Sequence, residues 1–179
     1  MLLITRLVVI IIWIFISCTD NIPQKYIISD FESDTDLDKL HWKCHTLFFL
    51  SQHHVTHGNN SLKMELYPSH YPGLTQIFTK TDWSCYKNLC FDIYNTEQNN
   101  IQINIRIDDR KDALRYKDRY NKGFILKPGL NRIQIPLDTL LTSVIKKKLN
   151  LKNIYKLIIF MHRPVHKVVL YIDYLRLEI

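Results

Sequence analysis

Ten short runs of alternating or uniformly apolar residues, divided by turn residues, leave this chain little room for helix. They read "YIISDFE", "HTLFFLS", "SLKMELY", "LTQIFTK", "NLCFDIYN", "IQINIRID", "KGFILK", "NRIQIPL", "IYKLIIFM" and "KVVLYIDYLRLE". Strands of this length and spacing predict a β-sandwich or barrel. Alternation assigns the faces: Leu62, Met64 and Leu66 share one, as do Leu89, Phe91 and Ile93, and Ile103, Ile105 and Ile107. The two runs nearest the C-terminus are apolar on both faces, which predicts places in the middle of the sandwich or beneath a helical crossover. Pro128 and Gly129 mark a turn, and residues 95–100 mark a loop. One segment breaks the pattern. In "PLDTLLTSVIKKKLNLKNI", Leu137, Leu140, Leu141 and Val144 recur at helical spacing, so a short helix or turn is expected there.

At 179 residues the chain has the length for one domain with a real core. Its formal net charge of +7 invites a nucleic-acid reading. Yet the basic residues are interleaved with acids, apart from Lys146, Lys147 and Lys148, and no nucleic-acid-binding signature is present, so no nucleic-acid partner is expected. With only four glycines there is no glycine-rich phosphate loop.

The first residues, "MLLITRLVVIIIWIFISCTDN", carry Arg6, then an apolar run from Leu7 to Ile16, then Ser17 and Cys18. That run suits the apolar core of an export signal and falls short of the roughly 20 residues that span a bilayer. Its ending, "FISC", resembles a bacterial lipobox, in which a small residue precedes a lipidated cysteine, here Cys18; Phe15 stands where that motif usually has leucine. A lipid anchor, a cleaved soluble product and an uncleaved anchor all place the domain outside the cytoplasm, in the cell envelope. Residues 1–17 therefore read as signal peptide or membrane anchor, 18–26 as a tether and 27–179 as the folded domain.

Export permits disulfides. Beyond Cys18 the chain has Cys44, Cys85 and Cys90, so at most one internal bridge can form; Cys85 and Cys90 are near enough to pair, while three unpaired thiols fit a strand-borne Cys90 better. His41, Cys44 and His45, or His53, His54 and His57, are closely spaced but lack a paired-cysteine metal motif.

The landmarks follow an order that carries a resemblance. "DFE" comes first, then "HGNNSLKMEL", "DWSCYKNLCFDIYN", "INIRIDD", "LKPGLNRIQIPL" and the closing "YIDYLRLE". From Asp30 to Glu178 the chain resembles the galactose-binding-like jelly-roll domains, which include many carbohydrate-binding modules. The resemblance implies an all-β jelly-roll sandwich of two antiparallel sheets and a glycan or envelope polymer as ligand. Within that class, "RIDDR", "YKDRYN" and "KPGLNRIQIPL" are similar to a segment of exported or membrane-linked bacterial domains of unassigned activity. It also implies a structural calcium between the first and last strands, for which Glu32 and Asp173 stand at the matching positions with carbonyls of "HGNNS"; hard oxygen ligands suit that ion.

The stretch from Ile103 to Gly123 supplies the candidate site. With its isoleucines turned to the core, Gln102, Asn104, Arg106 and Asp108 project the other way at about 7 Å intervals. Amide, guanidinium and carboxylate at that pitch can hydrogen-bond sugar hydroxyls. Asp92 and Tyr94 are expected on a polar face beside this ladder. In the following loop come Arg110, Tyr116, Asp118, Arg119 and Tyr120, whose rings offer flat faces for stacking on sugars. Tyr116 and Tyr120 meet only if the loop makes a helical turn. "YPSHYPG", with Tyr67, His70 and Tyr71, forms a second aromatic loop. Plainer readings are a solvated sheet face, a loop pinned by Asp–Arg pairs and simple edge packing. The ligand set is therefore Asn104, Arg106, Asp108, Arg110, Tyr116 and Tyr120. Adjacent Asp108 and Asp109 point to opposite faces and cannot form a glycosidase pair; Asp108 with Asp118 can. No nucleophile motif supports an enzyme. The expectation is a non-catalytic, envelope-anchored glycan-binding module. A structural or protein-interaction lipoprotein is the first alternative and a glycan hydrolase the second.

Overall fold

The computed structural model describes residues 24–78, 82–112 and 115–179. The expected signal or anchor segment and Cys18 lie outside the described residues. In chain order the strands are β1 (Lys25–Ser29), β2 (Leu40–Lys43), β3 (Thr46–Ser51), β4 (Ser61–Leu66), β5 (Gly73–Ile77), β6 (Asn88–Asn95), β7 (Ile101–Asp108), β8 (Tyr120–Leu126), β9 (Gly129–Pro136), β10 (Lys156–Phe160) and β11 (Val168–Glu178). They form two antiparallel sheets. One runs β3-β4-β11-β6-β9, with β1 added beside β11; the other runs β2-β5-β10-β7-β8. The all-β sandwich read from the strand pattern is what the chain adopts.

Between the sheets lies one core. Leu62, Met64 and Leu66 of β4 and Leu89, Phe91 and Ile93 of β6 are fully buried, as are Ile103, Ile105 and Ile107 of β7 and Leu157 of β10. Period-two alternation therefore sorts these side chains as expected. The two doubly apolar runs also take central places: β10 lies between β5 and β7, and β11 between β4 and β6. β11 divides one edge between two partners. Residues 168–172 pair with β4 and residues 175–178 pair with β1, with a bulge between Asp173 and Arg176 that puts Tyr174 at a φ of +52°. Gly129 takes a φ of +85° at the turn into β9, a conformation glycine enters without strain.

One local expectation is met and another needs correction. The leucine-rich segment makes short 3-10 turns, Leu137–Thr139 and Leu151–Asn153, with a Leu141–Lys148 bridge between them. Leu137, Leu140 and Leu149 are buried with the core, while Val144 is 58% exposed, so the helical spacing records irregular core contacts. β6 and β7 belong to different sheets, so Asp92 and Tyr94 cannot stand beside the Arg106 ladder. Alternation fixes the face of a strand, not the sheet it joins.

β1 begins at Lys25 and so takes two residues expected in the tether. Cys44, Cys85 and Cys90 are free thiols. Cys90 is buried, and desolvation pushes its thiol up to about 11, which keeps it protonated and unreactive.

Candidate functional site

Strand register builds a grid on the outer face of the five-stranded sheet. Thr75, Ile158, Arg106 and Asn121 are successive cross-strand partners on β5, β10, β7 and β8. Gly73, Phe160, Asn104 and Gly123 form the adjacent row. The pleat turns both rows away from the core. All of these residues but Gly123 line a groove of about 430 Å³, within the roughly 300–1,000 Å³ range of ligand sites. Gly73 is needed in this floor because a Cβ there would come 2.6 Å from Phe160 Cα. Cys44, Tyr71 and His162 rise where β2, β5 and β10 meet their loops, and Tyr116 and Arg119 rise before β8. The Tyr71 ring meets Phe160 edge-on at 5.8 Å and His162 at 5.4 Å; Arg119 lies over the Tyr116 ring at 5.4 Å.

Of the expected ligand set, Asn104, Arg106 and Tyr116 line this groove. Asp108 supports it from below. Its carboxylate is completely buried and accepts two hydrogen bonds from Arg106, Nε to Oδ1 at 2.8 Å and Nη2 to Oδ2 at 2.6 Å. Lys156, its cross-strand neighbour, reaches the same carboxylate at 3.1 Å. A paired, bidentate guanidinium is fixed in orientation, so Asp108 positions Arg106 instead of offering its own oxygens to a ligand.

Tyr120 is also corrected. β8 starts two residues before the run that announced it, so strand alternation turns Tyr120 inward and Asn121 outward. Tyr120 is 6% exposed, and burial pushes its hydroxyl up to about 12. Tyr116 lies in a 3-10 turn, Tyr116–Asp118, and the two rings part to opposite sides of the sheet. Arg110 stands outside the groove lining, 3.7–3.9 Å from Asp109, Asp112 and Asp118. Asp118 also accepts from Arg115 at 2.9 Å, which holds its carboxyl below the usual range.

Sequence reasoning left Tyr71, Arg119, Asn121, Phe160 and His162 out of the set. Arg119 and Tyr71 sat in loops already marked as aromatic and charged, but the cross-strand partners that join those loops are separated by tens of residues. Asn121 Oδ1 and Arg119 Nε are buried and find no hydrogen-bond partner among the described residues. A buried acceptor and a buried donor left open at the side of a groove are groups that a polar ligand or ordered water completes. Burial and the neighbouring Arg106 both lower the pKa of Arg119.

Glu32 and Asp173 do meet one loop, as the calcium expectation required. Glu32 Oε1 accepts the amides of Asn59 and Asn60 at 2.8 and 2.9 Å. Asp173 Oδ2 accepts those of Thr56 and His57 at 2.6 and 2.9 Å, and its Oδ1 accepts that of Tyr174 at 2.6 Å. Amide hydrogens therefore point where a cation would need oxygen lone pairs. Among the described residues no three His, Cys, Asp or Glu side chains gather to hold a metal. As arranged, this corner does not fit calcium; the carboxylates hold the loop directly. Hydrogen bonds from the Asn60 and Asn59 amides lower the pKa of Glu32, whereas burial outweighs four donors and raises that of Asp173.

No protein-family model matches the chain, and no curated protein matches it in sequence. Solved structures match its fold. A family 11 carbohydrate-binding module from Clostridium thermocellum, in complex with a β-1,3-1,4-mixed-linked tetrasaccharide, aligns with a TM-score of 0.67 at 15% identity, over 86% of this chain and 95% of that one. A family 30 module of a cellulosomal cellulase from Clostridium thermocellum aligns at 0.53 and 13% identity, over 78% and 90%. An exo-β-agarase aligns at 0.65 and 17% identity over 85% of this chain, which spans only 25% of the agarase. At such identities the likeness carries the fold, and that fold is the jelly-roll sandwich of carbohydrate-binding modules.

Proposed function

We propose that this chain is a glycan-binding module, held at the cell envelope by its N-terminal segment, that grips a polysaccharide in the groove of the five-stranded sheet. The observation that carries the reading is the groove itself: a planar grid of amide and guanidinium groups between exposed aromatic rings, with one donor and one acceptor left open. Sugars need that combination, because their hydroxyls require directional partners and their axial hydrogens favour flat apolar faces. The shared fold with a module seen holding a tetrasaccharide supports it. The groove lining contains no Asp or Glu, and the agarase likeness involves a quarter of that enzyme, so neither favours hydrolysis by this domain.

Titration with a panel of neutral and acidic polysaccharides, including β-1,3-1,4-mixed-linked glucan, tests the site. Binding should weaken by roughly tenfold or more in Arg106→Ala. A folded protein that binds nothing at millimolar sugar, or binding indifferent to Arg106→Ala, would overturn the assignment. The anchoring half has its own test: lipid mass on the full chain should vanish in Cys18→Ser.

The protein-interaction alternative draws on one feature, the exposed Leu47 and Phe49 on edge strand β3 of the six-stranded sheet. A stoichiometric protein partner recovered from solubilised envelopes and lost in Phe49→Ser would favour it.

A further inference from the structure

The charges around the groove do not balance. Arg106, Arg119 and Lys156 surround one carboxylate, Asp108, which is already committed to Arg106 and Lys156. His162 adds a further ionisable base to the lining, and the lining itself contributes no acid. The other acids near the rim are engaged away from it: Asp118 with Arg115 and Arg110, and Asp109 as acceptor of the Asn150 amide at 2.8 Å. Arg119 is the cation with unfinished business. Its Nε is buried and has no hydrogen-bond partner among the described residues, and it lies within electrostatic reach of a second guanidinium, Arg106, and of the Asp108 carboxylate. A neutral sugar hydroxyl would complete the hydrogen bond but leave the charge excess in a partly desolvated place, where unbalanced charge is costly.

Resting on the glycan-binding reading above, we propose that the groove selects an acidic glycan, one whose sugar rings carry a carboxylate or a sulfate, and that Arg119 receives the anionic group. The anion accepts from Nε–H of Arg119, a charge-assisted bond that fixes orientation as well as charge. Asn121, two residues further on in β8, lines the same groove, and its open Oδ1 accepts from a hydroxyl of the same or the next ring. Tyr116, beneath the Arg119 guanidinium, keeps that side chain in place and gives the ring a flat surface. The formal net charge of +7 favours encounter with such polymers.

The test compares matched polymers on the full chain at about 0.1 M salt, where exposed charges more than roughly 10 Å apart are screened. Polygalacturonate is set against its carboxyl-reduced form, and dextran sulfate against dextran. Tighter binding of either acidic polymer over its neutral partner, by roughly tenfold or more, is expected. Arg119→Gln should bring that ratio close to one, and Arg119→Lys, which keeps the charge but not the planar donor fork, should retain part of it. Replacing the exposed Lys146, Lys147 and Lys148 by glutamine should leave the ratio intact. Which acidic polymer is preferred tells carboxylate from sulfate. Equal binding of acidic and neutral forms overturns the acidic preference and leaves the glycan reading standing. A preference that survives Arg119→Gln but disappears with the three lysines overturns it too, by assigning the attraction to the surface. Failure of the folded protein to bind any polymer, mixed-linked glucan included, removes the glycan reading and this inference with it.

Discussion

Tyr116 and Tyr120 are four residues apart and do unrelated work, one facing the groove and the other the core. Tyr116→Ala should weaken glycan binding by roughly two- to tenfold, the worth of a stacking contact, while the melting temperature barely moves. Tyr120→Ala should instead lower stability by about 3–5 kcal/mol, as buried aromatic-to-alanine changes do, measured by urea unfolding. Asp108→Asn tests the other reassigned residue. With Arg106 and Lys156 left facing a neutral amide in a buried place, unfolding free energy should fall by roughly 3–5 kcal/mol, and binding should fall because Arg106 loses its orientation. Part of the groove floor was readable in sequence, since alternation after Ile103 sent Asn104 and Arg106 outward, and both line the groove. What sequence could not supply was the start of β8. A shift of two residues took Asn121 out of the loop, and the sign of each neighbour follows from that boundary.

At the scale of elements, the Glu32 and Asp173 carboxylates, placed where calcium was expected, accept backbone amides of residues 56–60. Removal of calcium by chelation should leave the melting temperature unchanged. Hydrogen exchange at the amides of Asn59 and Asn60 should quicken in Glu32→Ala, and at those of Thr56 and His57 in Asp173→Ala, because those amides lose their acceptors. Asp and Glu beside a glycine–asparagine turn suit either role, and the choice between cation and amide depends on where backbone N–H groups point, which the sequence does not record. Glu65 on β4 gives the pH dependence a definite sign. Lys63 first, then Tyr67 and Lys167, hold its carboxyl at about 2. The folded state thus prefers the charged form, so its contribution is present above the ordinary carboxylate pKa and is lost as pH falls through about 4.5 towards 2. Urea midpoints should decline over that window by an amount on the order of 1 kcal/mol that is absent in Glu65→Gln, the pair being partly screened by solvent.

For the whole molecule, the two sheets share one continuous core, so they should melt together. Far-ultraviolet circular dichroism, which follows the strands, and near-ultraviolet signals from buried aromatic residues should give one coincident transition; separate transitions would mean the sheets are independently stable. The sandwich class was legible because ten runs announced their faces. The order of strands within each sheet was not, since β10 lies between β5 and β7 through pairings that span tens of residues and leave no local mark. That arrangement has a mechanical consequence. The N-terminal segment enters the fold through β1, whose Lys25 and Tyr26 pair with Glu178 and Leu177 of β11. Ladder bonds run across the strands, so a pull along β1 loads its bonds to β11 in shear. They must yield together rather than peel one by one, and β11 passes the load to β6 beside it, so tension applied at Lys25 along β1 enters the centre of the larger sheet.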